Sequence, residues 1–205
     1  GEIATDEALG GADMHSTVSG LAEYVADDDA HALGLARALV AALGWQPQAS
    51  WPDGPPPKFD ADDLLGLFAA DMKKPVEMRH VIARLVDGSE FLEFKPDHGA
   101  ATVCGYAAIA GTRIGIVTNN GPLDPAGSTK VTHFIQSCCQ TGTPIVYLQN
   151  TTGFIVGTEA ERAGMIKHGA KQIQALSNAT VPQLTIHCGA SFGAGNYGMC
   201  GRAYS

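Results

Sequence analysis

In this 205-residue chain the richest stretch for chemistry is Gly189-Ala190-Ser191-Phe192-Gly193-Ala194-Gly195-Asn196-Tyr197-Gly198, which follows an apolar segment and precedes a helical pattern. A helix start offers unpaired backbone N–H groups and the positive end of a dipole, and small residues let a ligand oxygen come close to them. The turn therefore suits an oxyanion hole, although glycines there also suit tight helix packing. The same run contains Gly-x-Ser-x-Gly, the nucleophile-elbow pattern of α/β-hydrolases, with Ser191 as the nucleophile. An elbow serine needs an acid and a histidine later in the chain, yet the 14 residues after Ser191 include no His, Asp or Glu. His187 lies before it in the strand, where a packed core histidine is the expectation.

A second loop, Asn150-Thr151-Thr152-Gly153-Phe154-Ile155-Val156-Gly157, also lies between an apolar strand and a helix. Its glycines can expose the amide of Phe154, so two strand-end loops offer backbone donors, the requirement for stabilising an enolate or a tetrahedral oxyanion. The alternative is an ordinary connection with Thr158 as helix cap. The third loop, Asn119 to Ser128, lacks the Gly-x-x-x-x-Gly-Lys-Ser/Thr spacing of a phosphate cradle. It reads as structural, with Asn119 or Asn120 as candidates for a site edge. Lys130, Lys167, His168 and Lys171 could meet a polyanion, but on helices such residues usually form the solvated face.

These loops need a scaffold. Thr102 to Ile109 and Arg113 to Thr118, joined through Ala110-Gly111-Thr112, read as a hairpin or adjacent strands. Lys130 to Gln140 places Val131, Phe134, Ile135 and Cys138 on one helical face, and Pro144 to Leu148 is an apolar strand. Glu159 to Leu176 reads as one helix presenting Ala163, Ile166, Ala170 and Ile173, followed by a strand from Gln183 to Cys188. Alternating strands and helices predict an α/β layer with mostly parallel pairing, whose chemistry sits at the carboxyl ends of the strands. Upstream, Asp60 to Leu67 and Pro75 to Val86 read as helices, the latter with Val76, Arg79, His80 and Ala83 aligned. The Asp27-Asp28-Asp29 cluster can cap a helix from Ala30 to Leu43 whose face is Leu35, Leu39, Ala42 and Leu43. Between Trp45 and Lys58 five prolines exclude a helix or a central strand and mark a linker.

Composition narrows the function classes. With 45 % hydrophobic residues the chain can bury a real core, and a net charge of −8 without a basic run argues against nucleic-acid binding. Cys104, Cys138, Cys139, Cys188 and Cys200 show no zinc spacing and read as buried thiols in a reducing compartment. No apolar run reaches the roughly 20 residues of a membrane span. Starting at Gly1 without methionine, the chain reads as part of a longer protein.

The runs Val-Asp-Gly-Ser-Glu-Phe-Leu-Glu-Phe-Lys (86–95), Thr-Gly-Phe-Ile-Val-Gly-Thr-Glu-Ala-Glu (152–161), His-Gly-Ala-Lys (168–171) and Ser-Phe-Gly-Ala-Gly-Asn-Tyr-Gly-Met-Cys-Gly-Arg-Ala-Tyr-Ser (191–205) resemble the carboxyltransferase β subunit of biotin-dependent acyl-CoA carboxylases. Leu-Gly-Gly-Ala-Asp-Met-His (9–15) and Val-Ser-Gly (18–20) match too, and the last long run looks most like the methylcrotonoyl-CoA and geranyl-CoA branch. The resemblance implies a crotonase-like (ClpP/crotonase) spiral of β-β-α units, with residues 1–45 as the tail of an acyl-CoA-binding domain, 46–58 as the linker and 59–205 as the first part of a biotin-binding domain.

It further implies transfer of a carboxyl group from carboxybiotin to a coenzyme A thioester, a branched unsaturated acyl-CoA. Biotin is carried by a biotin carboxylase/carrier α subunit, and the active site lies at a dimer interface of a homo-oligomer. The location implied is the cytoplasm, or the mitochondrial matrix in a eukaryote. On this mapping the amides of Ala194 and Gly195, introduced by Gly193, with Gly153 and Phe154 from the adjoining loop, stabilise the biotin oxygen, and no side-chain nucleophile or metal is needed. Acetyl-CoA carboxylases resemble this loop but carry Gln-Arg where Thr158 and Glu159 stand, which speaks against acetyl-CoA. A serine esterase using Ser191 and a non-catalytic scaffold remain the alternatives.

Overall fold

The computed structural model describes residues 3–44, 53–68 and 76–204. The chain divides into two compact units, 1–50 and 51–205. The division falls inside the proline-rich segment, of which residues 46–52 lie outside the described residues; residues 53–58 run as irregular backbone. In that stretch the Pro55 carbonyl accepts from Gly88 N–H and Ser89 Oγ accepts from Lys58 N–H, so it is tied to the second unit.

The first unit is helical: α1 (Asp6–Gly10), α2 (Ala12–Thr17) and α3 (Asp29–Ala42). Asp28 caps α3, its carboxylate accepting from His31 N–H at 2.7 Å. No residue of α3 is buried.

The second unit is built on one five-stranded sheet, β1 (Leu92–Glu93), β2 (Thr102–Ile109), β3 (Thr112–Asn119), β4 (Ile145–Thr151) and β5 (Gln183–Ser191), in chain order across the sheet. The first three strands pair antiparallel, and β3, β4 and β5 pair parallel. The expected hairpin is present, with Ile109 opposite Thr112 and left-handed Ala110 and Gly111 making the two-residue turn. The Asp87 carboxylate accepts from both turn amides, at 2.8 and 2.7 Å.

Both faces of the central strands β3 and β4 are covered. Cys104, Val117, Ile145 and Tyr147 meet the buried stripe Val131, Phe134, Ile135 and Cys138 of α6 (Pro125–Thr141). Val103, Ile114, Ile116 and Leu148, from the alternate positions, meet Met78, Val81 and Ile82 of α5 (Met78–Ile82). Each such buried aliphatic or aromatic side chain contributes about 1.5–3 kcal/mol relative to exposure.

Several local expectations need correction. Helix α6 starts five residues earlier than the apolar stripe suggested, because Asp124 caps it and Pro125 suits the first helical position. Helix α5 stops at Ile82, and its buried face is Met78, Val81 and Ile82 while His80 is exposed; Pro75 lies outside the described residues. The segment Asp60 to Leu67 divides into a 3-10 turn and a short α4 (Leu64–Leu67).

The expected helix from Glu159 to Leu176 is two helices, α7 (Thr158–Arg162) and α8 (Met165–Ser177), because Gly164 stands between them in the left-handed region at φ 85°. The buried stripe of α8 is Met165, Gly169, Gln172 and Leu176, whereas Ala163, Ile166 and Ala170 are exposed. Gly157, not Thr158, holds the cap position of α7. Of the cysteines, all free, Cys104, Cys138 and Cys200 are buried while Cys139 and Cys188 are half-buried. No helix among the described residues is long and apolar enough to cross a membrane.

Candidate functional site

Strand β5 extends through Gly189, Ala190 and Ser191, so the turn at its end is shorter than the glycine run suggested, and α9 (Gly193–Gly198) begins two residues later. Strand β4 ends at Thr151, opposite Ser191, which sets the second loop beside this turn. The two loops touch through bare backbone. A Cβ on Gly195 would lie 2.6 Å from the Gly153 Cα and 3.1 Å from its nitrogen, so only glycine allows this approach. Gly153 has φ 116°, a backbone that other residues rarely adopt.

Phe154 is held from two sides. A Cβ on Gly198 would lie 2.8 Å from its ring, and one on Gly169 3.3 Å from it, so glycines of α9 and α8 make the slot for the ring. The third loop braces the second, since Leu123 N–H donates to Gly153 O at 2.9 Å and Ile155 N–H donates to Leu123 O at 2.8 Å.

The amide inventory divides the candidates. Gly195 N–H donates to Phe192 O at 3.1 Å, and Gly153 N–H donates to Thr151 Oγ1 at 3.1 Å. The amides of Ala194 and Phe154 have no acceptor among the described residues. Ala194 and Gly193 are exposed. Phe192, which precedes Gly193, is 55 % exposed, and Val156 of the second loop is 86 % exposed. Among the described residues the amides of Ala194 and Phe154, one from each loop, are thus left for another acceptor, while Gly153 and Gly195 are the contact that joins the loops.

Ser191 is not arranged as a nucleophile. Its hydroxyl donates to Gln149 Oε1 and accepts from Asn196 Nδ2 at 2.7 Å, so its proton and a lone pair are committed to amides, and among the described residues no base hydrogen-bonds to it. His187, expected in the core, is exposed on β5, a strand that pairs with β4 alone among the described residues. Gln149, which is wholly buried, was missed in the sequence, as was the bond from buried Gln172 Nε2 to Gly198 O at 2.6 Å. The only sequence signal was a polar Gln149-Asn150 pair ending an otherwise apolar strand.

The other candidates are structural. Asn120 accepts from Met78 N–H at 2.9 Å and donates to Glu77 at 2.7 Å, which caps α5; Asn119 is buried and donates to Gly121 O. Lys130, expected on a solvated face, is wholly buried: its Nζ donates to Thr102 O at 2.7 Å and lies 3.8 Å from the Glu93 carboxylate. Burial pushes its pKa down. Lys167 and Lys171 are exposed, and half-buried His168 bonds through Nδ1 to Thr129 Oγ1 at 2.9 Å. Glu159 is exposed and pairs with Arg162. No group of three metal-ligating side chains occurs among the described residues.

A mixed sheet whose parallel strand ends carry two loops joined at a glycine–glycine contact makes this an α/β protein, and its likeness to solved carboxyltransferase beta subunits identifies the fold as crotonase-like. The carboxyl transferase domain pattern matches residues 1–205, and the chain belongs to that family. It is 49 % identical to a probable biotin-dependent acyl-coenzyme A carboxylase beta2 subunit of Mycobacterium tuberculosis, over all of this chain and 39 % of that protein. It is 47 % identical to a mitochondrial methylcrotonoyl-CoA carboxylase beta chain of Dictyostelium discoideum, over all of this chain and 35 % of that one. Among solved structures, the geranyl-CoA carboxylase beta subunit of P. aeruginosa superposes with a TM-score of 0.72 at 51 % identity, over 99 % of this chain and 40 % of the other.

Proposed function

We propose that this chain is part of the carboxyltransferase component of a biotin-dependent acyl-CoA carboxylase acting on a branched, unsaturated acyl-CoA. The observation that carries the reading is the pair of unengaged amides, Ala194 and Phe154, in loops joined by the Gly153–Gly195 contact. When bound, biotin carried by a partner supplies the carboxyl group to be transferred. This chain's part is to donate backbone hydrogen bonds to the ureido oxygen, where negative charge collects as the carboxyl group departs. The bare glycine backbone leaves room for that oxygen, and exposed Phe192 and Val156 offer apolar walls against water. Fixed amide donors of this kind are worth about 2.7–4 kcal/mol each in the barrier.

The same reading makes residues 1–45 the end of an acyl-CoA domain and 59–205 the start of a biotin domain, in keeping with the division near residue 50. It gives the protein an α partner with biotin carboxylase and carrier functions, and an active site shared between protomers. The names of the relatives favour methylcrotonoyl-CoA or geranyl-CoA as the substrate. The location is the cytoplasm, or the mitochondrial matrix in a eukaryote.

The test uses a subunit that carries these residues and spans the length of its relatives, combined with its biotinylated partner. ATP-dependent fixation of labelled bicarbonate into 3-methylcrotonoyl-CoA or geranyl-CoA is the expected result. Hydrolysis of an activated ester, abolished by Ser191→Ala, would replace this reading with the esterase.

A further inference from the structure

We propose that Gln149, acting with Ser191 and Asn196, is a positioning residue that sets the aim of the Ala194 amide; this rests on the carboxyltransferase reading. Gln149 is wholly buried at the end of β4, and both of its polar atoms are fully used. Its Nε2 donates to Met199 O at 2.7 Å and to Asn196 O at 3.3 Å, while its Oε1 accepts from the Ser191 hydroxyl and from Asn196 Nδ2 at 3.3 Å.

These partners bracket the amide turn. Ser191 precedes it, Asn196 lies inside α9, and Met199 follows. One side chain from the neighbouring strand thus ties the turn on both sides of Ala194. Besides it, the turn is held to β4 by the Phe192 N–H to Thr151 O bond at 3.3 Å and by the close packing of Gly195 on Thr151 and Gly153. A polar network built on a buried, fully bonded side chain holds one geometry, because rotating Gln149 leaves a buried donor or acceptor unpaired. Ser191 is the shared member: it donates to Gln149 and accepts from Asn196, so its hydroxyl orients the other two amides.

The experiment is kinetic, on the intact carboxylase with its biotinylated partner. Ser191→Ala removes the hydroxyl that orients the network and should lower kcat about tenfold, and Gln149→Leu about a hundredfold, since misplacement by about 1 Å can cost that much. KM for the acyl-CoA should be unchanged in both, because the amide turn is not proposed to bind it. Ser191→Thr keeps the hydroxyl on a residue that suits a strand and should restore kcat. That rescue, with the KM and kcat effects separated, is not expected of a general loss of stability. If Gln149→Leu fails to fold, the Ser191→Ala and Ser191→Thr pair alone decides. Full kcat in Ser191→Ala, or equal losses in Ser191→Ala and Ser191→Thr, overturns the positioning role while the carboxyltransferase reading stands. A wild-type complex that fixes no bicarbonate overturns the reading itself.

Discussion

Gly195 lies outside the left-handed region, so its need for glycine is steric: a Cβ would press on the Gly153 Cα. Gly195→Ala should push the two loops apart and lower carboxyl transfer about a hundredfold, as a displacement near 1 Å can do. Ala194→Gly keeps the N–H and should stay within a few-fold of wild type. Steady-state kinetics with a parallel urea melt separates the two effects, since Ala194→Gly should cost no more than about 1 kcal/mol of stability. A structure of the intact enzyme with biotin bound checks the donors directly. A ureido oxygen more than about 3.5 Å from both the Ala194 and Phe154 amides would overturn their assignment, as that distance is not a hydrogen bond.

The elements that carry the loops are held by buried groups whose protonation matters. Lys130 of α6 fills the junction with β2, and Lys130→Ala should cost about 2–5 kcal/mol, as truncations of similarly long buried side chains do. Lys130→Met, which keeps the volume and removes the buried charge, should cost less, and denaturant unfolding distinguishes them. Burial raises the thiol of Cys104 to about 12 and that of Cys138 to about 11, from 9.0. Cys188, Cys200 and Tyr147 are raised too, by burial first. Above pH 9 the unfolded chain therefore loses thiol protons that the folded chain keeps, and stability falls as pH rises toward 11–12. Lys130, lowered by burial, acts in the opposite sense below 10.5, where the folded state holds fewer protons. The raised groups outnumber it, so urea midpoints should drop between pH 9 and pH 11.

At the scale of the whole molecule, this chain spans 39 % and 35 % of two relatives that it matches from end to end. The proposed chemistry needs an acyl-CoA and a carried biotin together, so the 205 residues alone should fix no bicarbonate, whereas the complete subunit with its partner should; a labelled-bicarbonate assay of both checks this. Much of the unit 51–205 was legible in the sequence. The hairpin follows from strand patterning around Ala110-Gly111, and the α6 stripe Val131, Phe134, Ile135 and Cys138 from helical spacing, because one-sided burial writes its period into residue type. The family motifs were legible as runs of unusual residues in a short span, and so was the place of the two glycine-rich loops at the ends of β4 and β5.

What only the tertiary structure decided is who touches whom. In α8 the stripe containing Ile166 is more apolar than the buried one, yet Gly169 and Gln172 face inward because the Phe154 ring needs a slot and the Gly198 carbonyl needs a donor. Lys130 is buried because its length reaches the Thr102 carbonyl, which no periodicity reveals. Ser191 is committed to Gln149 and Asn196, residues 42 and 5 positions away, and Gly195 meets Gly153 across two strand ends. Sequence pattern reports the apolar surface that each element must hide. The partners of polar groups and of bare backbone are set by how the strands place distant segments side by side, and that is fixed only when the sheet has formed.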